Sequence, residues 1–124
     1  AVDGGQRRAL LLSACNGSPY SYGKNTWLYD LFTAAGFKVA ESHPEIRHIA
    51  PGQEIEDIQT FLRRFNPDLV FLIRPESAEH CQAVFADSPV RVVPLPSELF
   101  SHPAPLLLEG LEALSRETAA NGAE

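Results

Sequence analysis

The 124-residue sequence predicts an α/β fold: a three-layer sandwich with a mainly parallel four-stranded sheet flanked by helices. Two observations carry that prediction. Short unbroken apolar runs recur along the chain, as expected of strands covered on both faces. Between them lie segments whose apolar residues repeat at helical spacing, closed by Gly, Pro or Asn.

The first run is Arg8-Ala9-Leu10-Leu11-Leu12-Ser13-Ala14. A loop follows, and Asn25 or Thr26 then offers a side-chain oxygen to cap a helix. Trp27, Leu28, Leu31, Phe32 and Ala35 form the stripe of that helix, which places Trp27 in the core. Gly36 fits the position just past the helix end. Phe37 to Ala40 reads as a second strand.

Residues 41–52 hold two prolines and two histidines without a period and read as a loop. Ile55, Ile58, Phe61, Leu62 and Phe65 make the second stripe. Asn66-Pro67 ends it, because a residue before proline avoids the helical region. Asp68 to Ile73 is the strongest strand, stopped at Arg74-Pro75. A third helix carries Ala78, Cys81, Val84 and Phe85 and ends at Ser88-Pro89. Val90 to Val93 is the fourth strand, Pro94-Leu95-Pro96 a loop, and 103–117 a last helix. Residues 1–7 read as a linker, 8–118 as a single domain and 119–124 as a flexible tail. Alternating strands and helices imply right-handed crossovers, and ligands of such sheets sit off the carboxyl ends of the strands. The loops at 15–25, 74–77 and 94–102 lie there, and 41–52 is placed to join them.

The net charge of −6 argues against a nucleic-acid partner, because phosphate-backbone binders carry basic faces. No apolar run approaches the ~20 residues a bilayer-spanning helix needs. No signal peptide is expected, since Arg7 and Arg8 precede only a short apolar run. Cys15 and Cys81 form no CxxC pair; buried free thiols are the favoured reading over one disulfide.

Catalytic motifs are weak. Cys15 follows the first strand, where a phosphocysteine or redox-thiol carrier would place its sulfur, but no nearby arginine closes a phosphate loop. Gly17 and Gly23 lack the third glycine of a dinucleotide fingerprint, and Asn25 after Gly23-Lys24 breaks the P-loop pattern. His43, His48, His80 and His102 have no tight metal spacing and read as surface histidines. No GxSxG elbow exists. The chain is therefore read as a non-enzyme without an intrinsic cofactor or metal. The alternatives are the Cys15 carrier and a flavodoxin-like regulatory or interaction domain.

What remains is an aromatic loop. Tyr20 and Tyr22 offer apolar area with polar tips, suited to stacking on a large, partly polar ligand. Arg74, ending a buried strand, pairs either with an anionic ligand group or with Glu76 or Glu79.

Three segments in order, NGSPYSYGKNTWLYDLFTAAGF, FLRRFNPDLVFLI and SPVRVVPLPSELFSHPAPLLLEGLEAL, resemble the carboxy-terminal lobe of the helical-backbone (class III) substrate-binding proteins of ABC importers. Together they cover about residues 8–117. YSYGKNTW and VVPLPSELFSHPAP are most similar to the vitamin B12-binding members; heme and ferric-siderophore binders share the frame. The resemblance implies one lobe of a bilobal periplasmic-binding fold, an amino-terminal lobe missing from this chain, an ABC permease as partner, and a periplasmic or extracytoplasmic location. The implied ligand is cobalamin, heme or a ferric siderophore. Tyr20 and the Gly23-Lys24 pair match the family's ligand loop, so Lys24 joins the site. Glu98 and His102 match the acid and base that its terminal loop turns toward the ligand. The family's permease-docking glutamate is replaced by Thr60. Glu54, Glu56 and Asp57 lie one turn earlier, and Glu56 and Asp57 are the docking residues expected here.

Overall fold

The computed structural model describes residues 5–15, 18–75, 77, 85 and 89–100. Four parallel strands form its centre: β1 (Arg8–Ser13), β3 (Lys38–Val39), β5 (Leu69–Arg74) and β6 (Arg91–Pro96). β5 lies between β1 and β6, and β3 pairs with the first half of β1 through Arg8 and Ala9. These are the four strands expected from the apolar runs.

Two short strands join them from segments read as loops. β2 (Tyr20–Ser21) runs antiparallel to the second half of β1, with Leu12 opposite Ser21 and Ser13 opposite Tyr20. β4 (Arg47–His48) runs antiparallel to β2 and ends the sheet on that side. One edge of β1 therefore serves β3 at its start and β2 at its end. Two-residue strands show no period, which is why the sequence hides them.

β6 extends through Pro94-Leu95-Pro96, correcting the expectation of a loop there. Among the described residues it pairs on one side only, and proline, which lacks an N–H, is tolerated in such an edge strand. A 3-10 turn, Ser97–Phe100, follows.

Helix α1 (Trp27–Ala34) starts from Thr26, whose Oγ1 accepts the Tyr29 N–H at 3.3 Å. Gly36, with φ of 93°, supplies the left-handed residue after its end. Helix α2 (Ile58–Phe65) starts from Asp57, whose Oδ1 accepts the Thr60 N–H at 2.8 Å. It stops at Asn66, which is left-handed and donates its N–H to Leu62 O at 2.8 Å.

The two helices cover opposite faces of the sheet. Leu28, Phe32 and Ala35 pack on Ala9, Leu11, Phe71, Val93 and Leu95. Phe61, Leu62 and Phe65 pack on Leu10, Leu12, Val70 and Leu72, with Phe85 alongside. The alternation along β1 and β5 divides their side chains between these two cores. Phe32, Phe37 and Phe71 interlock, with ring centroids 4.6–6.1 Å apart.

Trp27 departs from expectation: it is 49% exposed rather than core. Leu28, Phe32 and Ala35 take the central stripe of α1, and Trp27 and Leu31 form the flanking row. The expected helices at 78–85 and 103–117 lie outside the described residues, apart from the buried Phe85.

Candidate functional site

β2 and β4 build the site, and their pairing sorts side chains onto two faces. Tyr20 pairs with His48 and Ser21 with Arg47. Directly opposed residues share a face, so Tyr20 and His48 lie together, and Ser21 and Arg47 lie together on the reverse. Tyr22, two residues after Tyr20, returns to the first face and packs against the α1 core.

The first face is aromatic. The Tyr20 and Tyr22 rings meet edge-on at 5.4 Å, and the His48 ring lies 6.1 Å from Tyr20. Both tyrosines are half-buried, and His48 is exposed. Burial, and then a hydrogen bond and charge interaction with Tyr20, push the Tyr22 phenol far above its ordinary value of 10; the Ser13 hydroxyl opposes this only in part. Tyr22 is thus a neutral phenol. Because Tyr20 lies opposite Ser13, the last residue of β1, the cluster sits at the carboxyl edge of the sheet. That is the side on which ligands of parallel sheets sit.

The reverse face is a buried ion pair. Glu41, 1% exposed, receives two hydrogen bonds of 3.0 Å from Arg47 Nε, and Arg47 Nη2 stands 2.9 Å from Glu41 Oε1. The His43 N–H adds a bond of 2.9 Å to the same carboxylate. Burial alone would raise the Glu41 pKa. The Arg47 and His43 hydrogen bonds, with the adjacent Ser21 hydroxyl and the Arg47 charge, outweigh it and hold the carboxyl below its usual 4.5. Arg47 also reaches Glu54 at 2.9 Å, and Arg64 of α2 meets the same Glu54 oxygen at 2.8 Å. Both guanidiniums lie over the Phe65 ring, at 5.5 and 5.4 Å. This network ties β4 to α2. Sequence reasoning missed it because Glu41 and Arg47, its buried centre, lie in a segment without period.

Gly23 holds the loop to this ribbon. A Cβ there would overlap the backbone carbonyls of His43 and Glu45. Close approach lets Lys24 N–H donate to His43 O at 2.9 Å and Asn25 N–H to Pro44 O at 2.8 Å. The Gly23-Lys24 pair therefore clamps the 43–45 turn, while the Lys24 side chain is exposed.

Tyr20 and Tyr22 are the predicted site residues that the fold brings together. Arg74 ends β5, buried, with Nη1 donating to Pro75 O at 3.0 Å. Glu98 is exposed in the 3-10 turn, its Oε1 3.4 Å from Ser97 Oγ. His102, Glu76 and Glu79 lie outside the described residues. Of the expected docking residues, Glu56 accepts the Gly52 N–H at 3.2 Å and Asp57 caps α2. The Thr60 N–H is the main cause that lowers the Asp57 carboxyl below its usual 3.8.

Cys15 corrects another expectation. It is half-buried at a φ of 77° and is disulfide-bonded, not a free thiol. The other cysteine in the sequence, Cys81, lies outside the described residues. A sulfur held in a disulfide has no thiolate to accept a phosphoryl group, so the phosphocysteine reading fails in this state.

No family model matches the sequence, and neither does any curated protein. Solved structures do match. A possible iron-binding (periplasmic solute-binding) protein of Staphylococcus epidermidis aligns over 90% of this chain and 45% of its own, with a TM-score of 0.64 and 16% identity. An ABC transporter substrate-binding protein of Listeria monocytogenes aligns over 90% and 46%, with a TM-score of 0.66 and 17% identity. IsdE of Staphylococcus aureus, solved with heme, aligns over 90% and 45%, with a TM-score of 0.61 and 18% identity. The likeness is one of fold, and the chain spans less than half the length of each of these proteins.

Proposed function

We propose that this chain is one ligand-binding lobe of an ABC-importer solute-binding protein, working without catalysis on a bulky metal chelate of the cobalamin, heme or ferric-siderophore kind. The observation that carries the reading is the half-length match: nine-tenths of this chain overlies less than half of several solute-binding proteins. The Tyr20–Tyr22 cluster at the carboxyl edge of the sheet supports it, because two adjacent phenols offer apolar area with polar tips to a large ligand. Tyr20, Tyr22 and Lys24 form the near wall of the cleft in this reading, with Arg74 at the end of β5 and Glu98 in the 3-10 turn beside it, and His102 as a further contact that the resemblance implies. A second lobe supplies the opposite wall, and closure of the two excludes water. Glu56 and Asp57 face an ABC permease. The Cys15 disulfide supports an extracytoplasmic location, since such bonds persist in oxidising compartments.

The test is a titration of the full-length protein with aquocobalamin, hemin, and ferric hydroxamate and catecholate siderophores. Chelate absorbance and tryptophan emission are followed together, with a Trp27→Phe variant isolating the Trp27 contribution. Saturable binding of at least one chelate, weakened by Tyr20→Ala or Tyr22→Ala, is expected. A flat response to all of them would remove the proposed ligand class.

A further inference from the structure

The aromatic face holds one group with a chemistry that the phenols lack. His48 is carried beside Tyr20 by the β2–β4 pairing, its ring 6.1 Å away and tilted by 58°. It is exposed, and among the described residues its ring lies beside Tyr20 and makes no hydrogen bond. The nearby His43 differs: its Nδ1 takes the Glu45 N–H at 3.1 Å, so that ring is committed to holding its own turn. The backbone beneath His48 is fixed, because its neighbour Arg47 is clamped by Glu41 on the opposite face. The imidazole is thus presented at a set position next to the Tyr20–Tyr22 surface, with its ring nitrogens open to a ligand.

We infer that His48 is a third contact of this surface and selects planar metal chelates with an exchangeable axial position over chelates whose metal is already saturated. The inference rests on the solute-binding reading above. A neutral imidazole nitrogen donates its lone pair to the metal and displaces an axial water; no electron is transferred, and the water leaves to solvent. Iron in hemin and cobalt in aquocobalamin offer such a position. A ferric ion wrapped by six siderophore oxygens does not. The phenols supply apolar contact and the imidazole supplies the selection.

The experiment compares wild type, His48→Ala and His48→Gln of the full-length protein, each with hemin, aquocobalamin and a ferric trihydroxamate. Circular dichroism confirms that the variants are folded. In wild type, hemin or aquocobalamin should bind with the absorbance change of a nitrogen-ligated metal. In His48→Ala, affinity should fall about tenfold or more, the spectral signature should vanish, and added imidazole should restore it. Equal affinity and spectra in the folded variants overturn the role of His48 and leave the solute-binding reading standing. So does wild-type binding of the trihydroxamate alone. Binding of no chelate at all overturns both.

Discussion

Glu41 and Arg47 lie in a segment that looks featureless in the sequence, yet replacing Glu41 by Leu should be among the most damaging changes in the chain. The side chains of Glu41 and Arg47 are 0% and 5% exposed, so removing the carboxylate leaves the buried guanidinium with only the exposed Glu54 as an ionic partner. Breaking a buried pair in this way costs about 3–5 kcal/mol. With an unfolding entropy of about 2.1 cal/mol/K per residue, 124 residues give about 0.26 kcal/mol/K, so Tm should fall by about 12–19 °C. The double variant Glu41→Leu/Arg47→Met should recover most of that loss, because an apolar pair of similar volume avoids both desolvation costs. A pH arm checks the same pair. The folded Glu41 pKa lies below the ordinary 4.5. Its stabilising effect is thus present above about pH 4.5 and is lost as the pH falls through the folded value. Wild type should therefore lose Tm on acidification more steeply than Glu41→Gln. Thermal unfolding of the 124-residue chain by circular dichroism at pH 7 and below pH 4 reads both arms. A Glu41→Leu shift of less than about 4 °C, near 1 kcal/mol, would refute the burial argument.

Other consequences follow from local geometry. Gly23→Ala should destabilise by about 1–3 kcal/mol or more, since the added methyl meets backbone carbonyls that cannot rotate away; urea unfolding measures it, and a neutral result contradicts the clamp. Asn66→Gly should be nearly neutral while Asn66→Ala costs about 1–2 kcal/mol, because Asn66 sits at a φ of 43°. Trp27 should be readily quenched by acrylamide in the folded chain, and Trp27→Phe should scarcely move Tm; a shielded tryptophan would contradict its exposure. The chain denatured without reductant should release no titratable thiol, and a thiol count of two would show that Cys15 is not disulfide-bonded.

The parallel sheet was legible in the sequence because it is written in runs of adjacent residues. Ala9 to Leu12 and Leu69 to Ile73 are apolar at every position, since both faces of those strands are covered by helices. Three helix ends were legible for the same local reason: Thr26 precedes an apolar stripe, and Gly36 and Asn66 follow two; the Asp57 cap was not read, because Ile55 extends the stripe past it although it lies outside α2. The aromatic loop stood out by composition.

The arrangement of that loop was not legible. Whether Tyr20 and Tyr22 share a face depends on an antiparallel register with β1, and His48 joins them only because β4 pairs with β2. Both strands are two residues long and leave no periodic trace. Glu41 and Arg47 carry no local mark of their pairing, because burial and partner choice are properties of packed space. Trp27 was misplaced because a helical stripe has a width, and only contact with the sheet decides which of its rows is central. Cys15 was misread because no local pattern separates a paired from an unpaired sulfur. Local chemistry thus determined the elements and their ends from the sequence by itself. Cross-strand register, which brings Tyr20 to His48, and burial, which pairs Glu41 with Arg47, decided the site, and only tertiary structure supplies those.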